Sequence, residues 1–187
     1  MPKIIFISGA CGSGKSTFAD ALARHLVRQD HKTVYVIHGD DFHSGFREPE
    51  EKGDFFVNGQ ASDQVLWEDI LRFNWDCIVS TAQRALQDNL DVVIDYVIED
   101  ELPRVRELAE KNRVPLYYIV LTADAEEIER RIRERGDVDL IERALFLKRS
   151  WKLCRKIKVI YMITPGKNRK MLSMIMDWNS IRFNNFR

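Results

Sequence analysis

The stretch Ile4-Ile5-Phe6-Ile7-Ser8-Gly9-Ala10-Cys11-Gly12-Ser13-Gly14-Lys15-Ser16-Thr17 decides the fold of this chain. Its first residues are an unbroken apolar run of the kind that forms a buried strand. Gly9 to Ser16 then spell G-x-x-x-x-G-K-S, and a helical pattern with Phe18, Leu22 and Leu26 follows. Strand, glycine loop and helix in that order predict a phosphate-binding loop. The glycines let the backbone turn so that several N–H groups point at one anion. The helix adds its positive N-terminal end. Lys15 can reach the β- and γ-phosphates, and the Ser16 hydroxyl can ligate Mg²⁺. Gly9, Ala10, Cys11, Gly12, Ser13, Gly14, Lys15, Ser16 and Thr17 are therefore expected to bind a nucleotide. A mere glycine-rich turn with a surface lysine leaves the closing Lys-Ser pair unexplained. Cys11 lies inside this anion nest, a setting that favours the thiolate and its oxidation.

Composition bounds the rest. A chain of 187 residues suits a single domain, 1–187, with a full core. Hydrophobic content of 45% and charged content of 31% describe an ordinary soluble protein. No apolar stretch approaches the roughly 20 residues of a membrane span, and no leader pattern opens the chain. Cys11, Cys77 and Cys154 cannot all pair and lack metal-ligand spacing, which predicts a reducing, cytoplasmic setting. Net charge is zero but uneven: Lys148 to Arg187 hold eleven Lys/Arg and one acidic residue, Asp177. A basic tail can contact nucleic acid. No aromatic-interleaved RNA motif or zinc finger accompanies it, so the plainer expectation is a segment facing the acidic body or a nucleotide.

Strand and helix patterns alternate along the chain, which predicts an α/β fold with a five-stranded parallel sheet covered by helices on both faces. The expected strands are Lys3–Ser8, Thr33–His38, Asp91–Asp95, Leu116–Leu121 and Ile157–Ile163. A helix over Ser16–Gln29 follows the loop. A long helix over Ser62–Asp88 carries Leu66, Ile70, Phe73 and Cys77 at three- and four-residue spacing, with its aromatics in the core. Glu99–Asn112 is helical with Pro103 near its start. Asp124 and Glu127 predict a capping box opening an arginine-rich helix, the start of a lid over about 124–150. Gly39–Ala61 reads as a substrate loop, and a last helix covers Arg169–Asp177. Ligands in such sheets lie at the carboxyl ends of the strands.

Three constellations sit there. Asp95 ends the apolar strand Val92-Val93-Ile94 and is placed to hold Mg²⁺, directly or through water. Hydrolytic ATPases often follow that aspartate with a water-activating glutamate; here Tyr96 follows. No guanine-reading Asn/Thr-Lys-x-Asp motif occurs. His38-Gly39-Asp40-Asp41-Phe42-His43 ends the second strand. Asp40 is the expected base taking a hydroxyl proton, and Asp41, His43 and Tyr96 are expected at the substrate. His38 carries the weakest expectation of this group. Arg131 and Arg135 share one helical face, and with Arg143 they are expected to reach phosphate oxygens on closure. The other arginines of 130–143 are expected to pair with the interleaved glutamates. Gly136-Asp137 interrupts the run, as a movable lid requires.

Gly9–Thr17, Gly39–His43, Asp91–Asp95 and the Arg130–Arg143 lid together resemble the small P-loop kinases, a group that includes gluconate, shikimate, chloramphenicol and nucleoside kinases. The resemblance implies the three-layer P-loop NTPase fold, ATP and Mg²⁺ as cofactors, and transfer of the γ-phosphate to a hydroxyl of a sugar acid, nucleoside or related alcohol. The Asp-Asp-Phe step is similar to that of uridine and nicotinamide riboside kinases, where the acid matching Asp40 is the base. In the group the turn before the last helix cradles adenine, which implies Thr164–Lys167, with Gly166, in that role. Acceptor-binding residues of gluconate or shikimate kinases have no match between Phe42 and Ala61. Two alternatives stand beside this: a nucleotide monophosphate kinase, and a non-catalytic ATP-dependent binding protein using its basic C-terminal surface. The expected partner is a small-molecule hydroxyl acceptor, with neither nucleic acid nor membrane, and the expected state a monomer or homodimer.

Overall fold

The computed structural model describes residues 1–45, 56–57, 60–61, 67–97, 102–121, 123–150 and 158–163. Its centre is β1 (Ile4–Gly9), buried at every position. Side chains alternate across a strand, and β1 uses both faces. Ile5 and Ile7 pack with Phe18, Leu22 and Leu26 of α1 (Lys15–Asp30) on one side. Ile4 and Phe6 pack on the other with Trp75 and Ile78 of α2 (Trp67–Gln87) and Val105 and Leu108 of α3 (Leu102–Asn112). Each such side chain, fully buried, contributes about 1.5–3 kcal/mol.

The other strands are β2 (Val34–His38), a two-residue antiparallel pair β3 (Phe56–Val57) and β4 (Gln60–Ala61), β5 (Asp91–Asp95), β6 (Leu116–Leu121) and β7 (Lys158–Ile163). The main sheet has the order β2-β5-β1-β6-β7. Four strands are parallel, as expected, but β7 runs antiparallel to β6. Two helices, α4 (Ala125–Arg135) and α5 (Ile141–Ser150), lie between β6 and β7 in the chain. Strand β7 starts beside the carboxyl end of β6, with Lys158 opposite Val120, and runs back along it.

Several local expectations are corrected. Residues Gly39–Gly45 form a 3₁₀ turn instead of an open loop. Phe73 is 51% exposed, because the buried stripe of α2 runs through Ile70, Asn74, Trp75, Ile78 and Ala82 and leaves it off the seam. Asp124 does take the N-cap position of α4, but its side chain makes no cap hydrogen bond. The capping box fails because the Glu127 carboxylate is held by Arg130 and Arg131. Ile128 and Ile132, both fully buried, seat α4 against Ala10 of the phosphate loop together with Ala144 and Leu147 of α5. The first helix of the expected lid is thus packed onto the body. The expected helix over Arg169–Asp177 and the turn Thr164–Lys167 lie outside the described residues. Among the described residues no helix is long and apolar enough to cross a membrane.

At the amino-terminal edge of the sheet, the fully buried Asp91 accepts from the Lys3 backbone N–H at 3.1 Å and faces the Lys3 ammonium at 2.6 Å. At the opposite edge, Gly39 lies directly on the ring of Tyr96, itself 3% exposed and edge-on to Trp75. A Cβ at Gly39 would collide with that ring, which the buried Trp75 holds in place. Gly39→Ala is expected to destabilise the protein by about 1–3 kcal/mol, the usual cost of overpacking. Urea denaturation with an unchanged slope checks this; wild-type stability would show that the ring can yield.

Candidate active site

The carboxyl ends of β1, β5 and β2 lie side by side, with Ile7 paired to Asp95 and Asp95 paired to His38. The phosphate loop leaves from the first of these strands. Gly14 ends the loop as the N-cap of α1 at φ 92°, a left-handed conformation that favours glycine. Lys15 follows, buried despite its charge, and its ammonium donates to the Ala10 carbonyl at 3.3 Å. The Ser13 hydroxyl is buried without a hydrogen-bond partner. A buried unpaired hydroxyl is costly, so an acceptor entering the loop would relieve it. That fits an anionic phosphate.

Ser16 sits one residue further on. Its hydroxyl donates to Asp95 Oδ2 at 2.7 Å. The Asp95 carboxylate is 3% exposed and its other oxygen accepts from His38 Nδ1. Serine and aspartate oxygens are hard donors, the kind that Mg²⁺ takes one or two at a time alongside phosphate and water. The donor set therefore fits a magnesium-bound nucleotide. Burial lowers the pKa of His38, but the bond to Asp95 and the charges of Asp95, Asp20 and Asp41 outweigh it and hold the imidazole above its ordinary value.

A cleft of about 670 Å³ opens over the loop. It brings together Cys11 to Phe18, Asp40, Arg131 and Arg135, with Leu121, Ala123 and Glu134 completing the wall. Of the expected loop residues, Cys11 to Thr17 share this cavity with the expected base and two of the three expected arginines, while Gly9 and Ala10 do not line it. Arg131 crosses to the loop and donates to the Gly12 carbonyl at 3.1 Å while its Nε holds Glu127 at 2.7 Å. Arg135 Nε stands 3.5 Å from Asp137. Arg130 and Arg133 pair with glutamates on the exposed side of α4, as the alternating charges predict.

Other candidates fall elsewhere. Tyr96, expected at the substrate, is instead buried beneath Gly39, where its hydroxyl accepts from Asn74 at 3.3 Å. The apolar strand before it carries it past the cleft and into the core. Arg143 is on the exposed side of α5 and does not line the cleft, because α5 turns Ala144 and Leu147 inward. Asp41 is exposed beside Asp40. His43 belongs to the 3₁₀ turn by its backbone. Gly166 lies outside the described residues. Cys11 lines the cleft as a free thiol, half-buried, and Cys77 is also free. Sequence reasoning undervalued His38 and missed Asp20. The available signals were a histidine at the last position of β2 and an acid four residues after Ser16.

The chain belongs to the AAA domain family, whose model matches residues 5–144. Its fold is that of the small P-loop kinases. Solved structures share it at low identity. The APS kinase of Mycobacterium tuberculosis, in complex with AMPPNP and APS, is 15% identical with a TM-score of 0.55, covering 96% of this chain and 98% of that one. A sugar kinase from Janibacter sp. is 16% identical with a TM-score of 0.50, covering 97% and 96%. A chain of the Pnkp1/Rnl/Hen1 RNA repair complex is 18% identical with a TM-score of 0.52, covering 89% of this chain. The present chain spans about half of that one, 51%. No protein of curated function matches the sequence.

The charge network on α4 has a measurable signature. Hydrogen bonds from Arg130, and then from Arg131 with both positive charges, pull the Glu127 carboxyl from 4.5 down to about 2 against the opposing effect of desolvation. A depressed carboxyl stabilises the folded state fully above its unfolded pKa and loses that contribution as pH falls. The stability difference between wild type and Glu127→Gln is therefore expected to be constant above pH 5 and to vanish between about 4.5 and 2. Thermal melts across that range check it; a difference that persists at pH 2 contradicts the pairing.

Proposed function

We propose that the protein is an ATP-dependent phosphotransferase acting on a hydroxyl of a small molecule. The observation that carries this reading is the position of Asp40. It lines the same cleft as Lys15 and Ser16, from the 3₁₀ turn that follows β2, the strand next but one to β1. A carboxylate there can accept the proton of an alcohol held in front of the donor phosphate. Bound ATP would supply the transferable phosphoryl group, and Mg²⁺ would supply positive charge to offset its oxygens. Lys15 neutralises charge at the phosphates, having only a loop carbonyl to leave. Ser16 and Asp95 hold the ion. Arg131, already on the loop, exchanges the Gly12 carbonyl for a phosphate oxygen, and Arg135 joins it from the next turn. Tyr96, which stands where a hydrolase would carry a water-activating glutamate, has its ring in the core, so no side chain at that position activates water in the cleft.

The acceptor is drawn from alcohols of the sugar, sugar-acid or nucleoside kind, with APS included because an APS kinase shares the fold along its whole length. A short RNA with a free hydroxyl end belongs in the same panel, given the fold shared with an RNA repair complex and the basic residues of 148–187. An ADP-release screen over that panel tests the reading. Lys15→Ala is expected to lose turnover with every acceptor. Asp40→Asn is expected to keep ATP binding and lose about 10²–10⁴ in transfer rate. Wild-type transfer in Asp40→Asn removes it as base. Salt-sensitive RNA binding without transfer to any acceptor favours the non-catalytic binding protein instead.

A further inference from the structure

Four side chains, among them the carboxylate at the end of β5, form a ring. Ser16 donates to Asp95 Oδ2 at 2.7 Å, Asp95 Oδ1 accepts from His38 Nδ1, and His38 Nε2 stands 3.5 Å from Asp20 Oδ1. Ser16 and Asp20 are four residues apart on α1, so they share a face and the ring returns to the helix where it began. His38 is brought to Asp95 by strand register: the two are Cα partners across β2 and β5. The ring therefore ties three elements, α1, β5 and β2, at the one point where phosphate and cation would meet.

We propose that His38 is the positioning residue that fixes the Asp95 carboxylate, and through it the Ser16 hydroxyl, for a nucleotide-bound divalent cation. With both Asp95 oxygens engaged, the carboxylate cannot rotate away from Ser16. With its proton committed to Asp95, the Ser16 oxygen turns its lone pairs toward the cleft. Asp20, itself partly exposed, holds the far side of the imidazole and sets which nitrogen faces Asp95. Carboxylate–imidazole partners of this kind, one shell out from an ion, typically govern 10–100-fold in metal affinity, about the effect expected here.

The proposal rests on the cation-binding part of the function given above, and its test is one of binding. Mn²⁺ is titrated by electron paramagnetic resonance into the full chain with a non-hydrolysable ATP analogue, and analogue binding is measured separately in EDTA. His38→Leu is expected to weaken Mn²⁺ by about 10–100-fold while analogue binding in EDTA is unchanged. His38→Asn, which keeps an N–H near the Nδ1 position, is expected to recover most of the loss. Asp20→Asn is expected to show a smaller loss of the same kind, and it replaces the leucine variant should that one not fold. Wild-type Mn²⁺ affinity in the folded variants overturns the role of His38, as does an equal loss with and without metal. A wild-type protein that gains nothing from Mn²⁺ overturns the cation reading itself.

Discussion

The hydrogen bond from Ser16 to Asp95 is the contact on which the site depends, because it joins the phosphate loop's helix to a different strand. Ser16 is fixed by the first turn of α1 and Asp95 by the last residue of β5. Neither can move without disturbing the central β1–β5 pairing, which runs from Ile4 and Val92 to Ile7 and Asp95. The apolar packing of β1 on both faces keeps that pairing rigid, and the rigidity is passed to the polar end of the sheet. A buried carboxylate such as Asp95 is tolerated only because both its oxygens are hydrogen-bonded. The same polar contacts that cost desolvation therefore hold the site in one arrangement.

The two edges of the sheet divide their work. At the amino-terminal edge, Asp91 and Lys3 form a buried pair whose partners are all structural. At the carboxyl edge, Asp40 and the phosphate loop with Lys15 and Ser16 face a cleft, and Asp95 is buried behind Ser16. The division follows from parallel strands, whose connections gather loop ends on one side. The α4 helix then covers the loop, fastened by Ile128 and Ile132 beneath and by Arg131 across the top. The helix ends in a left-handed cap at Gly136, and α5 beyond it joins the same apolar cluster through Ala144 and Leu147.

Much of this was legible in the residues. The apolar run into G-x-x-x-x-G-K-S set strand, loop and helix, since each has a local cause: side-chain burial, glycine dihedrals and helical spacing. Asp40 and Arg131 could be singled out for the cleft from their places after a strand and on an arginine-rich helix face. Tyr96 was misplaced because the sequence shows that it follows a strand but not that the chain dips there beneath Gly39. The capping box at Asp124 failed for a related reason. Glu127 had two possible partners, the helix end and the arginines, and charge attraction prevailed. Phe73 matched a helical stripe by spacing, yet the neighbouring seam through Asn74 and Trp75 faces the sheet.

By itself, then, the sequence determined what local geometry and composition can determine: a phosphate-binding loop at residue 9, a parallel α/β core around it, and the acids and arginines available near strand ends. The tertiary structure decided which of those groups meet. It turned β7 antiparallel to β6, a direction that the residue pattern of a single strand does not encode. It set His38 against Asp95 through a register between strands 57 residues apart in sequence, and closed the ring through Asp20 on a third element. Spacing along a chain reports neighbours on one helix or strand. Contacts between elements depend on how those elements pack, and that is set by the whole core at once.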